Sequence, residues 1–126
     1  ALETAAIVAG ALDLPVVINP IVRERCAFTC DIGTPTTELA RRWPDLDFSH
    51  IDEVWWPALT ESEAEIEARA AAFRAEMAAI PTWSDTLVVS HWGFILAMTG
   101  ERMQNCQWRR CDPTLPGPAA VPWVIG

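Results

Sequence analysis

The sequence predicts an α/β fold: a mostly parallel sheet with helices on both faces. Two observations carry this expectation. Helix-period segments alternate with short, continuously apolar β-branched runs. Hydrophobic residues make up 51% of the 126 positions and charged residues 21%. That is enough apolar surface for one core but not two. A single domain over residues 1–126 follows.

The elements read in order. Residues 2–12 are alanine-rich, with Leu2, Ala5, Ala6, Ala9 and Leu12 on one face of a helix. Residues 14–19, apolar and bounded by prolines, read as a buried strand. Residues 22–35 show no period and read as a loop. Residues 34–43 suit a short helix, with Thr34 as N-cap, Pro35 in the first turn and Pro44 past the end. Residues 45–57 read as irregular.

Thr60-Glu61-Ser62-Glu63 reads as a capping box, and Ile66, Ala70, Phe73, Met77 and Ile80 follow as an apolar stripe closed by Pro81. Residues 86–90 form a second apolar strand. It leads into His91-Trp92-Gly93 and a helix from Phe94 to Thr99 that Gly100 ends. Residues 106–111 suit one more strand, and the proline-rich 113–122 a surface excursion. The first residue is not methionine, and Ala1 already stands in a helix-favouring run. The chain is therefore expected to be a piece of a longer polypeptide.

Composition narrows the function. The net charge is −8 and all nine basic residues are arginine. That argues against a nucleic-acid surface built on distributed cations. An anionic small substrate would need a few local arginines to overcome the global repulsion. No apolar run approaches the roughly 20 residues of a membrane span. No secretory signal is visible, so reduced thiols and a cytoplasmic location are expected. Cys26/Cys30 and Cys106/Cys111 have wider gaps than a zinc site prefers, and no metal is expected.

Two side chains stand out as chemistry-bearing. His91 directly follows a strand-like run and precedes a glycine and a helix, where backbone amides bind anions. The same position also suits a histidine that hydrogen-bonds backbone at a strand end. Glu24 lies between Arg23 and Arg25. That setting suits a proton donor beside an anion grip, or a solvated charge cluster. Trp55-Trp56 could pack, wall a pocket or form a binding surface.

Three ordered motifs, with the segment that follows the last, resemble one family. Ala1-Leu2-Glu3-Thr4-Ala5 resembles the segment after the second arginine motif of the histidine phosphatase superfamily, also called phosphoglycerate mutase-like. Val22-Arg23-Glu24-Arg25 is similar to its Leu-x-Glu-Arg segment. Val88-Val89-Ser90-His91-Trp92-Gly93-Phe94-Ile95 resembles its second-histidine motif, and Gly100-Glu101-Arg102-Met103-Gln104-Asn105-Cys106 the segment that follows.

The resemblance implies a phosphomonoester hydrolase or a phosphoryl-transfer mutase working through a phosphohistidine. Glu24 would be the proton donor and His91 the second pocket histidine. Arg25, Trp92 and Gly93 would bind a small phosphorylated substrate, and no cofactor would be needed. The nucleophile's Arg-His-Gly motif does not occur in this sequence; the other histidine stands in Ser49-His50-Ile51. The resemblance therefore places the nucleophile and the sheet's first strand outside residues 1–126. Self-association or an accompanying N-terminal segment would complete the sheet. The alternative is a non-catalytic, phosphatase-like binding module using the Trp55-Trp56 surface.

Overall fold

The computed structural model describes residues 1–57 and 60–123. Four α-helices carry it: α1 (Leu2–Leu12), α2 (Thr36–Arg42), α3 (Glu63–Ala78) and α4 (Trp92–Thr99). Single 3₁₀ turns lie at Pro20–Val22, Thr29–Asp31 and Trp83–Asp85.

The core is the contact of α3 with α4. Ile66, Ala70, Phe73 and Met77 form the predicted stripe on α3 and are buried against Phe94 and Ala97 of α4. Phe73 and Phe94 meet edge to face, with ring centroids 5.7 Å apart. Ile80, the last residue of the predicted stripe, lies beyond the end of α3 and is exposed. Ile21 and Val22 pack on this core from the loop ahead of Glu24, and Trp83, Met98 and Trp123 close its edges. A cleft of about 390 Å³ lies between α3 and the proline-rich C-terminal stretch, lined by Glu67, Arg74, Pro113 and Pro118 among others.

The helix ends are set partly by local signals and partly by distant ones. The capping box of α3 is set two residues later than Thr60. Ser62 is the N-cap: its hydroxyl accepts from Glu65 N–H, while Glu65 Oε2 accepts from Ser62 N–H at 2.7 Å. At α4, Gly100 takes the left-handed conformation (φ 71°) that ends the helix as expected. Thr34 does not cap α2. Instead Glu53, sixteen residues beyond Thr37, accepts from Thr37 N–H at 2.9 Å and from its hydroxyl at 2.6 Å.

The parallel sheet is not formed, and the fold class is corrected accordingly. Among the described residues there is no strand; residues 14–19, 86–90 and 106–111 carry no ladder. An apolar β-branched run becomes a strand only where a second backbone takes up its N–H and C=O groups. Here those runs are tied down otherwise. The His50 ring bonds Ile18 O at 2.8 Å, Ser90 Oγ donates to Val22 O at 2.6 Å, and Cys106 turns with φ 65°. Their apolar side chains consequently stand partly in solvent, Val17 at 84% and Leu87 at 54% exposure. Helix α1 forms over the predicted residues and buries none of them. No helix among the described residues is long and apolar enough to cross a membrane.

Candidate active site at the start of helix α4

Helix α4 starts at Trp92 because His91 still holds extended backbone (φ −115°, ψ 164°) while its carbonyl already accepts from Ile95 N–H at 2.9 Å. His91 is thus the N-cap by backbone alone, and its side chain makes no capping bond. The amides of the first turn need acceptors, and one arrives from a distant loop. The Glu24 carboxyl accepts from Gly93 N–H, with Oε1 at 3.0 Å and Oε2 at 3.3 Å. A carboxyl oxygen there suits the positive end of the helix dipole. Oε1 also accepts from Arg25 N–H at 2.7 Å. Two of the three predicted motifs therefore meet at one point, 69 residues apart in sequence.

A side chain on residue 93 would have to displace the tip of Glu24. A Cβ on residue 93 would stand 2.5 Å from Glu24 Oε1 and 3.3 Å from Arg25 Cβ. The amide faces the carboxyl, and no side chain comes between them.

The His91 ring is half-buried, and among the described residues its nitrogens make no hydrogen bond. Burial lowers its pKa below the ordinary 6.5. Glu24 and Asp31 pull the other way. A neutral imidazole keeps one nitrogen as acceptor and one as donor. Trp92 stands at the rim, 40% exposed.

Arg25 is occupied by its own fold. Its Nε donates to Glu61 O at 3.0 Å, its guanidinium lies 5.0 Å over the Trp123 ring, and Glu63 is 3.9 Å away. Trp55 and Trp56 pack edge to face at 5.5 Å, and Trp55 Nε1 donates to Thr34 O at 2.8 Å. Gly33 lies against both rings, so close that a Cβ there would meet Trp55 at 2.5 Å and Trp56 at 2.6 Å. The pair is half-buried packing between the loop around Gly33 and the segment before α3.

Beneath Glu24 lies a buried ion cluster that the sequence reading did not single out. Glu61 is only 6% exposed. It accepts from Arg69 Nε at 2.8 Å and Nη2 at 2.6 Å, a forked pair, and from Arg23 Nη2 at 3.2 Å. Burial works against the Glu61 charge, but the bonds and charge of Arg69, with the charge of Arg23, hold its carboxyl below the ordinary range. Burial and the neighbouring Arg69 lower the pKa of Arg23, against the pull of Glu61 and Cys26. A signal was present in the sequence: Arg69 falls between Ile66 and Ala70, inside the apolar stripe of α3. A charged side chain there demands a buried partner.

The four cysteines are free, Cys26 buried and Cys30, Cys106 and Cys111 exposed. Among the described residues no three His, Cys, Asp or Glu side chains converge as metal ligands.

Comparison with known proteins gives the family. The family model of the histidine phosphatase superfamily (branch 1) matches residues 1–117. The chain belongs to that superfamily. No curated protein and no solved structure matches it. In this member of the histidine phosphatase superfamily, Glu24 meets the first turn of α4 beside His91, and a catalytic reading starts from that arrangement.

Proposed function

We propose that the chain supplies the acid half of a phosphomonoester hydrolase that works through a phosphohistidine, with the nucleophilic histidine contributed from outside residues 1–126. The observation that carries this reading is the Glu24 carboxyl on Gly93 N–H at the start of α4, next to a His91 ring that makes no hydrogen bond among the described residues. A carboxyl has about four lone-pair sites. The amides of Arg25 and Gly93 orient Glu24 and leave it room to carry a proton toward a leaving oxygen.

In the reaction a histidine nitrogen attacks phosphorus, the P–N bond forms as the ester P–O bond breaks, and Glu24 gives its proton to the departing alkoxide. Water then attacks the phosphohistidine, losing a proton to the Glu24 carboxylate, and the P–N bond breaks to release phosphate. His91 stabilises the equatorial oxygens in both steps. Trp92 borders the substrate's organic part. Arg25 serves through its backbone N–H on Glu24, and its guanidinium would reach a substrate only by leaving Trp123. A small phosphorylated molecule is the substrate class. Hydrolysis is favoured over mutase chemistry because no longer, more basic substrate loop is present in this sequence.

The test is His91→Asn in the complete polypeptide. Turnover should fall at least about 10²-fold, the scale for losing one preorganised stabiliser of transition-state charge. Wild-type turnover in that variant would overturn the reading.

A further inference from the structure

The Arg69 guanidinium uses every donor it has. Of its five N–H groups, Nε and one on Nη2 hold the two Glu61 oxygens. The two on Nη1 go to the carbonyls of Ile21 at 2.7 Å and Arg23 at 2.8 Å, and the second on Nη2 reaches Glu24 O at 3.4 Å. Its face lies 5.0 Å over the ring of Phe94, the residue after Gly93. One planar group on α3 therefore touches both sides of the Glu24–Gly93 contact: the backbone that carries Glu24, and the helix that receives its carboxyl. The loop has a second tie to the same place, because Glu61 N–H donates to Cys26 O at 2.7 Å.

We propose that Arg69, fixed by Glu61, is a positioning residue that sets the Glu24 carboxyl on the first turn of α4 by holding three carbonyls of one loop, those of Ile21, Arg23 and Glu24. A loop of no regular period has no ladder to fix its backbone, so a rigid five-donor fork substitutes for one. Lysine offers three donors on a flexible stem and cannot serve both Glu61 oxygens and three carbonyls at once. The role as it bears on catalysis rests on Glu24 being the proton donor; the placement itself does not.

Arg69→Lys in the complete polypeptide tests both levels. Amide hydrogen exchange reads the placement. Gly93 N–H should exchange at least about ten-fold faster than in wild type, the scale of one lost hydrogen bond, while Phe73 N–H in mid-α3 keeps its rate. Unchanged Gly93 exchange in the folded variant overturns the inference. Turnover reads the consequence: alkyl phosphates should lose at least about ten-fold more than p-nitrophenyl phosphate, with KM little altered, as misplacing a proton donor demands. Glu24→Gln measured alongside separates the two claims. A leaving-group-selective loss in Glu24→Gln but not in Arg69→Lys overturns the positioning role. No selectivity in Glu24→Gln overturns the proton-donor reading, and Gly93 exchange then still decides the placement. Should Arg69→Lys not fold, Glu61→Gln loosens the same fork; Gly93 exchange should rise at least about three-fold, and no rise overturns the inference.

Discussion

Glu24 and Gly93 are fitted to each other: the carboxyl oxygen that accepts the Gly93 amide at 3.0 Å occupies the space in which any side chain on residue 93 would begin. The contact joins the loop after the Pro20–Val22 turn to the first turn of α4, directly after the cap residue His91.

Gly93→Ala should therefore displace Glu24 instead of merely crowding it. A modest cost of about 1 kcal/mol is expected, because the methyl meets the far end of a flexible side chain that can shift. Denaturant titration measures it. Turnover of the complete polypeptide should fall about 10²-fold from the misplaced acid. Stability and turnover both at wild-type values would show that the carboxyl does not sit where the Gly93 Cβ would go.

The buried and exposed ion pairs should behave differently. Glu61→Ala strands Arg69 and Arg23 without their carboxylate. About 3–5 kcal/mol should be lost. Glu101→Ala removes a partner of Arg109 in a pair that is half exposed on both sides, and the unfolding midpoint should hardly move. Equal effects would mean that the Glu61 cluster does not act as a buried clamp.

Acid should weaken the fold in two stages. Burial holds the His91 pKa below 6.5, so the unfolded chain takes up that proton at a higher pH than the folded one. The stability linked to His91 is present above about pH 6.5 and is lost as pH falls through the folded-state value below it. The Glu61 contribution is likewise present above about pH 4.5 and is lost only below that, through its own lowered value. Unfolding free energy measured from pH 8 to 4 should show the upper stage in wild type and not in His91→Gln. An upper stage that survives in His91→Gln would assign it to another group.

Gly33→Ala should disturb the tryptophan pair, since the new methyl would meet both rings. Tryptophan fluorescence should shift toward that of more solvated rings, and about 1–3 kcal/mol of stability should be lost. An unchanged spectrum would return Trp55 and Trp56 to the role of a free surface.

What could be read from the sequence follows the range of the interactions. Helices α1 and α3 and the end of α4 were legible because an apolar period and a left-handed glycine act within a few residues, although α3 is capped by Ser62 and not by Thr60. The cap of α2 was not, because its acceptor is Glu53, brought back by the chain path beyond the helix. The expected strands failed for the same reason on a larger scale. Val16, Val17, Val88 and Val89 suit a strand, but a ladder belongs to two segments, and among the described residues none pairs with them. Glu24, His91 and Gly93 were each singled out by motif position. Their convergence on one helix turn was not, nor was the engagement of Arg25 with Trp123 and Glu61.

The role of Glu24 is tested most directly by the dependence of kcat/KM on leaving-group pKa, across a series of aryl and alkyl phosphates, for the complete wild-type polypeptide and its Glu24→Gln variant. A positioned acid spares the leaving oxygen its negative charge, so the wild type should show a shallow dependence. The variant should show a steep one, losing about 10²–10⁴-fold on alkyl esters and far less on p-nitrophenyl phosphate. Parallel lines, with the same loss at every leaving group, would contradict proton donation by Glu24 and leave it as a cap on helix α4.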